Sequence, residues 1–545
     1  MKHLFTLLMA GWVTWGHAQL HPASRDVPER PFDVLHYNIT LDVTDFAAER
    51  IFGEVEVTFI RKPGTDTLRL ELLGMHLNRV THNDKPLPHR YNPETGELLL
   101  LAGKLDRLDT LTYRISYDGH PVKPSWFGGF YFQDSIAYNL GILIDGDPPN
   151  FGKAFFPCVD DFHDRATYDI TLIVPPGMTG VATGRFNGGT SEAGRSPRVN
   201  WKMEQPIPTY LVSVAVGEYE HVQGTYHSVL QGRDIPTDLY VRPEDAEAAA
   251  ASFVNLNKAL AAFEDRFGPY VWPRVGYVSV PMRGGAMEHA TNVAYPHKAV
   301  DSTLNFETLW AHELSHSWFG NTITCHGAEE MWLNEGFARY CEGLFREAVY
   351  GEEAFQDWVR ELTVRSVLTT HLADGQFHPV TPVPAELTYS STTYDRGALM
   401  VHFLRGQVGD EAFFQAMRNL LATKRFQNWS TLDLQTALEN ASGLKLAAVF
   451  RDWVFGTGWA LGYEWPSEEP SDTLVPIGFT GADSVNPFPE RAARGHLFSP
   501  FELKGMMAAV YPNAGYDLDN WLPDATIHAY VNLDAGTNWV PGGMD

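Results

Sequence analysis

Hydrophobic and polar residues alternate along the N-terminal part of the chain. Tyr37, Ile39, Leu41 and Val43 share one parity, while Asn38, Thr40 and Asp42 take the other. The pattern returns in Val55, Val57 and Phe59, in Leu111, Tyr113, Ile115 and Tyr117, and in ATYDITLIVP from Ala166 to Pro175. Successive side chains leave a strand on opposite sides, so a period of two predicts strands with one buried face. Residues 30 to about 220 thus predict an antiparallel all-β domain that closes with TYLVSVAVGEY. Around residue 243 the period changes. Phe253, Leu256, Leu260, Phe263 and Phe267 step by three and four, one face of a helix that Gly268 and Pro269 end. A short strand, GYVSVP, leads into RGGAMEHA, and from residue 305 to about 458 the spacing is almost wholly helical. Beyond it, prolines at 466, 470, 476, 487, 489, 500, 512, 523 and 541 are too many for a helical domain.

Length and composition narrow the picture. At 545 residues the chain is long enough for three or four units at the usual rate of about 150 residues each. With 44% hydrophobic and 20% charged residues it has the makeup of a folded globular protein. A net charge of −26 repels phosphate backbones, which makes nucleic acid a poor partner. Three cysteines, Cys158, Cys325 and Cys341, are too few for a disulfide framework; they read as small buried residues, with a Cys325 to Cys341 bridge the alternative. The N-terminus MKHLFTLLMAGWVTWGHAQL has a basic Lys2, an apolar run from Leu4 to Trp15 and small residues at Gly16 and Ala18. That is the pattern of a cleavable export signal, with a run of about 12 residues where a membrane span needs about 20. The expectation is an exported chain, periplasmic or secreted, with no integral membrane span. The expected organisation is a signal over 1–18, a β domain over 19–220, a mainly helical domain over 221–460 and a Pro-rich segment of irregular fold over 461–545.

The candidate chemistry lies in WAHELSHSWFGN. Asn305 is a candidate cap for a helix with Phe306, Leu309 and Leu314 among its apolar positions. On that helix His312 and His316 are one turn apart, so both imidazoles leave the same face, with Glu313 beside them. Two neutral ring nitrogens can hold a metal ion while a carboxylate reaches the water on it. Three fixed positions recur by accident, so a third ligand has to separate a metal site from an ordinary polar helix face. WLNEGFARY supplies one in Glu335, at the start of another helical run. Two histidines and a glutamate leave one zinc position open, the arrangement of a catalytic centre. Glu342, two turns after Glu335, is on the same face and is a candidate to orient a histidine by hydrogen bonding.

These motifs occur with FPCVDDFHDRATYDITLIVP, GGAMEHA, TTYDRGALMVHFLR and FRDWVFGTGW in one order, and from about residue 30 to 460 the chain resembles the aminopeptidase N family of gluzincin-type zinc exopeptidases, which includes an epoxide-opening hydrolase. The resemblance implies an α+β multidomain protein with a saddle-like β domain and a thermolysin-like catalytic domain. It implies one zinc ion per chain on His312, His316 and Glu335, with Glu313 as general base and Tyr394 as donor to the developing oxyanion. It further implies substrate contacts from Gly284, Gly285, Ala286, Met287 and Glu288, with Glu288 taking the free α-ammonium group of a peptide. This chain departs from the family in two places. His289 stands where asparagine is usual and is expected to alter the pocket's polarity and pH response. Before FPCVDD, where relatives carry a glutamine or glutamate, this chain reads LIDGDPPNFGKAF; Asp145 and Asp147 are the acidic residues there, neither fixed by the motif.

The expected function is zinc-dependent removal of the N-terminal residue from peptides with a free amine. Epoxide hydrolysis or endopeptidase action on the same metal site, and a secreted peptide-binding protein with a vestigial site, are the alternatives. The preferred first residue, the oligomeric state and the biological substrate are not legible in the sequence.

Overall fold

The computed structural model describes residues 30–104, 108–124, 126–192 and 194–456, together with 496–497 and 530–531. The expected signal over 1–18 lies outside the described residues. So does the segment 461–545, apart from His496–Leu497 and Tyr530–Val531, which pair antiparallel.

The alternating segments are strands. Phe32–Asp45 buries Val34, Tyr37, Ile39, Leu41 and Val43. A register irregularity between Val34 and His36 changes the parity of the inward set and leaves Leu35 exposed, as one extra residue in a strand must. This strand is central to an eight-stranded sheet ordered Arg185–Thr190, Arg198–Ile207, Ala166–Ile173, Phe32–Asp45, Arg50–Arg61, Asp109–Gly119, His76–His82 and Lys85–Pro86. The antiparallel expectation holds across the sheet except where Phe32–Asp45 runs parallel to Ala166–Ile173. A long stretch of chain separates these two strands, which a parallel pairing requires and a hairpin excludes. Smaller sheets of four and three strands complete the β-rich half. The FPCVDD stretch belongs to its core: Phe156 packs edge-on to Tyr37 at 5.6 Å, and the Val159 N–H donates to the Tyr37 hydroxyl at 3.0 Å.

A second four-stranded sheet, Glu220–Ser228, Arg233–Val241, Val275–Val280 and Val293–Pro296, leads into the helices. Its last two strands are buried at every position and pair in parallel, as expected where both faces are covered. The helix expected through Phe253 to Phe267 is two helices, Ala246–Ser252 and Leu256–Phe267, with Phe253 in the break. Gly268, at φ +92°, ends the second. The remaining helices include Glu307–Ser315, Glu335–Tyr350 and Gly397–Val408. Cys158, Cys325 and Cys341 are buried and unbridged, which removes the disulfide alternative.

Arginines tie the β-rich half to the helical half. Arg165 donates to the Asn321 carbonyl at 3.0 Å and to the Thr324 hydroxyl at 2.5 Å. Arg274, buried, donates to the carbonyls of Gly184 and Ala182 at 2.7 and 3.0 Å and to the Asn292 side chain at 3.2 Å. Arg274 thereby fixes the loop after GGAMEHA against the first half of the chain.

Candidate metal centre

The helix Glu307–Ser315 is held by its apolar face. Trp310 is buried and donates its indole N–H to the Ser252 carbonyl at 3.0 Å, while Tyr277 on strand Val275–Val280 donates to the Trp310 carbonyl at 2.7 Å. Asn305 does not cap this helix: Phe306 occupies the cap position, without a side-chain bond, and Asn305 lies in a turn where its own N–H donates to Thr303 Oγ1. His316 is one residue past the helix but keeps right-handed helical angles, φ −57° and ψ −22°, so the one-turn relation to His312 survives. The two rings lie 4.9 Å apart.

Glu335 is the first residue of helix Glu335–Tyr350, where a carboxylate is favoured by the helix dipole. Its Oε2 lies 3.3 Å from His312 Nε2 and 3.4 Å from His316 Nε2. Donors on arms of about 2.05 Å at tetrahedral angles lie about 3.3 Å apart, so these separations are the edges of a zinc coordination polyhedron. The opposite ring nitrogens are already engaged. His312 Nδ1 bonds to Glu342 Oε1 at 3.0 Å, and His316 Nδ1 to the Phe319 carbonyl at 2.9 Å. Nδ1 is thus the donor in each ring, which leaves Nε2 to bind a metal once its own proton is lost. The three ligands are buried and form the one group among the described residues that fits a metal ion. The donor set fits zinc.

The electrostatics agree with a site built for positive charge. Burial opposes ionisation of Glu335, but His316 and His312 outweigh it and hold the carboxyl well below its usual range. Burial likewise disfavours charge on the histidines, yet Glu335 and Glu342 push His312 up to about 10, and Glu335 pushes His316 up to about 8. Burial raises Glu313 to about 7 against the lowering effect of the two histidines, which suits a proton shuttle near neutrality.

These groups line a cavity of about 450 Å³ that also holds Glu288, Gly284, Gly285, Ala286, Glu342 and Tyr394. A larger cavity, about 660 Å³ and lined by Tyr226, Leu230, Phe267, Trp318 and Arg418, contains none of them. Gly285 takes φ +68°, a left-handed conformation that favours glycine, and a Cβ at Gly284 would meet open space. Met287, expected among the substrate contacts, does not line the cavity. It is fully buried, and its backbone bridges to Ala294 at 2.9 and 3.0 Å.

Tyr394 lies in a π-helical turn, Thr392–Arg396, ahead of Gly397–Val408; such wider turns often mark functional positions. Its ring stacks 6.0 Å from that of His312. Burial, then the carboxylates of Glu335, Glu288 and Glu313, keep the phenol pKa well above its usual value, so it remains a donor. Burial also raises Glu288, which His316 partly offsets.

None of His289, Asp145 and Asp147, the residues at the two departures from the family motif, lines the cavity. His289 Nε2 accepts from the Gly141 N–H at 3.2 Å on the β-rich side, and burial pushes its pKa down to about 3, so it is a neutral structural acceptor. Asp145 and Asp147 are exposed and outside the cavity wall, which Ile142 and Ile144 form instead. Sequence reasoning misses Arg339, although it is within WLNEGFARY; it pairs with Glu342 and with Asp395 at 3.0 Å. Its position three residues before Glu342 puts it on the same helix face, a signal the spacing does carry. Trp126 and Phe127 also line the cavity, and no local pattern marks them.

A β-rich half followed by helices that carry a His-His-Glu donor set is the arrangement that the resemblance to gluzincin-type metallopeptidases implies. Residues 252–453 match the Peptidase family M1 domain, in line with the resemblance to the aminopeptidase N family. Glutamyl aminopeptidase of Bos taurus is 30% identical over 61% of this chain and 36% of its own length. Aminopeptidase B of Mus musculus is 28% identical over 74% of this chain and 64% of its own length. The chain thus spans less than two thirds of these curated relatives. A two-domain M1 zinc metallopeptidase variant bound to L-tryptophan superposes with TM-score 0.69 at 25% identity, covering 79% of this chain and 95% of that one. The M1 zinc metallopeptidase of Deinococcus radiodurans, in a variant bound to a Tyr-Ser-Ala substrate, gives TM-score 0.69 at 25% identity over 81% and 97%. No helix among the described residues is long and apolar enough to cross a membrane.

Proposed function

We propose that this chain is a zinc aminopeptidase that removes the first residue from peptides with a free N-terminus. The observation that carries the reading is that Glu288 shares one cavity with the His312, His316 and Glu335 donors, so an amine anchor and a metal centre face the same substrate. His312, His316 and Glu335 would hold the zinc, which when bound would supply an acidified water and a Lewis acid for the scissile carbonyl. Glu313 accepts the proton released by the attacking water and returns it to the leaving amine, a role suited to a carboxyl with pKa near 7. Tyr394, held protonated, donates to the oxygen that gains charge in the transition state. Glu288 binds the α-ammonium group, and the segment Gly284–Ala286 offers backbone to the substrate strand. Glu342 acts through His312, fixing the ring by its hydrogen bond to Nδ1.

The division at residues 19–220 and 221–460 is proposed as that of the β and catalytic domains. Export is proposed on Lys2 and the apolar run that follows it.

Paired substrates test the exopeptidase reading: a free aminoacyl amide against its N-acetylated form, with and without chelator. Turnover of the free form alone, abolished by chelation, is expected. Equal turnover of both forms points to an endopeptidase. Neither form turned over, with zinc bound and an epoxide opened, points to the epoxide hydrolase. A protein that binds no zinc removes both.

A further inference from the structure

We infer that the β-rich half of the chain supplies a pocket for the side chain of the substrate's first residue, and that this pocket selects large apolar side chains over acidic ones. The inference rests on the aminopeptidase reading and names its substrate class. Four apolar residues of the β-rich half, Trp126, Phe127, Ile142 and Ile144, line the same cavity as the metal ligands. Two glycines bring these residues together. Gly128, at φ +110°, leaves no room for a Cβ, which would lie 2.3 Å from the Ile142 carbonyl oxygen; Gly129, at φ +86°, would set one 2.2 Å from the Val122 carbonyl oxygen. The Trp126–Phe127 loop is thereby pressed onto the 142–144 segment.

The wall also touches the amine-binding motif. A Cβ on Gly285 would stand 3.8 Å from the Phe127 ring, and Gly284 lines both the catalytic cavity and a smaller one of about 110 Å³ behind Trp126. A side chain leaving the first Cα, with its ammonium group on Glu288, meets this wall. Trp126 is 58% exposed, a large aromatic surface at a cleft rim that an apolar side chain would cover.

Charge points the same way. Two arginines line the cavity, but Arg339 is paired with Glu342 and with Asp395 at 3.0 Å, and Arg365 lies 3.8 Å from Asp395. Against them stand Glu288, Glu313, Glu335, Glu342 and Asp395 in the same cavity. A substrate carboxylate at this wall would meet apolar side chains, with both arginines of the cavity already facing carboxylates of the chain.

The test uses the full-length zinc-loaded protein and unblocked phenylalanyl, leucyl, alanyl, glutamyl and arginyl amides. The phenylalanyl amide should exceed the glutamyl amide in kcat/KM by about 100-fold or more. Trp126→Ala should lower the phenylalanyl-to-alanyl ratio about tenfold, and Ile144→Arg, at a half-buried site, should lower the phenylalanyl-to-glutamyl ratio by at least about tenfold. A glutamyl amide turned over as well as the phenylalanyl one, or ratios that neither substitution moves, overturns the pocket assignment while leaving the aminopeptidase reading intact. Calorimetric binding of L-tryptophan and L-glutamate keeps the test independent of turnover. Tryptophan bound at least about tenfold tighter supports the pocket even if no amide is cleaved. Equal or reversed affinities refute it.

Discussion

Glu342 takes part in no step of the proposed reaction, yet its removal should loosen the metal. The carboxylate accepts from His312 Nδ1 at 3.0 Å, and both groups are buried. In Glu342→Ala the buried Nδ1–H loses its acceptor, and the ring loses the contact that aims Nε2 at Glu335. Partners of this kind contribute about 10- to 100-fold to metal affinity, or about 1.4–2.7 kcal/mol. A second effect opposes the first. Glu342 and Glu335 also hold a proton on His312, pushed up to about 10, and that proton competes with the metal below that pH. Removing Glu342 weakens both, but the dication loses more than the proton. The deficit should therefore be smaller at neutral pH and widen as pH rises toward 10. Glu342→Gln, which keeps an acceptor, should fall between parent and alanine variant. Competition for zinc against a chromophoric chelator across pH reads the effect, with thermal unfolding as a check on folding. An alanine variant with parental zinc affinity at every pH, while still folded, refutes the argument.

Three other outcomes follow from the same geometry. Glu313→Gln should retain zinc, measured by atomic absorption, while kcat falls about 10²- to 10⁴-fold; a fully loaded variant with the parental rate removes the proposed base. His289 binds a proton at about 3 when folded against an ordinary 6.5, so the unfolded chain takes up protons first and this share of stability is lost as pH falls from 6.5 toward 3; melting temperatures of His289→Asn should fall less steeply over that window, and parallel curves count against it. A Cβ at Gly336 would sit 3.0 Å from the Gly397 backbone and 3.2 Å from the Thr393 carbonyl, so Gly336→Ala should cost about 1–3 kcal/mol and lower kcat by parting Glu335 from Tyr394; parental stability and rate would dismiss that contact as unimportant.

The metal ligands are legible in the sequence because helix geometry is local: a spacing of four residues brings His312 and His316 to one face, and a helix start brings Glu335 opposite. Glu342 is legible for the same reason, as a position two turns along one helix. The cavity wall is not. Trp126, Phe127, Ile142 and Ile144 are distant in sequence from the ligands, and only the folded β-rich half sets them there. The strand pattern is readable, but the parallel pairing of Phe32–Asp45 with Ala166–Ile173 depends on which strands meet, which a period of two does not encode. His289 misleads because a motif position need not be a pocket position, and its ring turns toward Gly141.

The loop that follows Glu288 is moored to the β-rich half, while the Glu288 carbonyl itself accepts from Asn321 Nδ2 at 3.0 Å on the side of the metal ligands. Ala290 donates to the Leu211 carbonyl at 3.0 Å, Thr291 Oγ1 accepts from the Gly184 N–H at 2.7 Å, and Asn292 donates to Ser213 at 2.8 Å. The ligands ride on helices Glu307–Ser315 and Glu335–Tyr350. The anchor for a peptide's end is thus braced from both halves, and its separation from the donors acts as a gauge for the length of chain measured off. Loss of Arg274, which ties Asn292 to Gly184 and Ala182, would miscalibrate that gauge without altering a single group that meets the substrate.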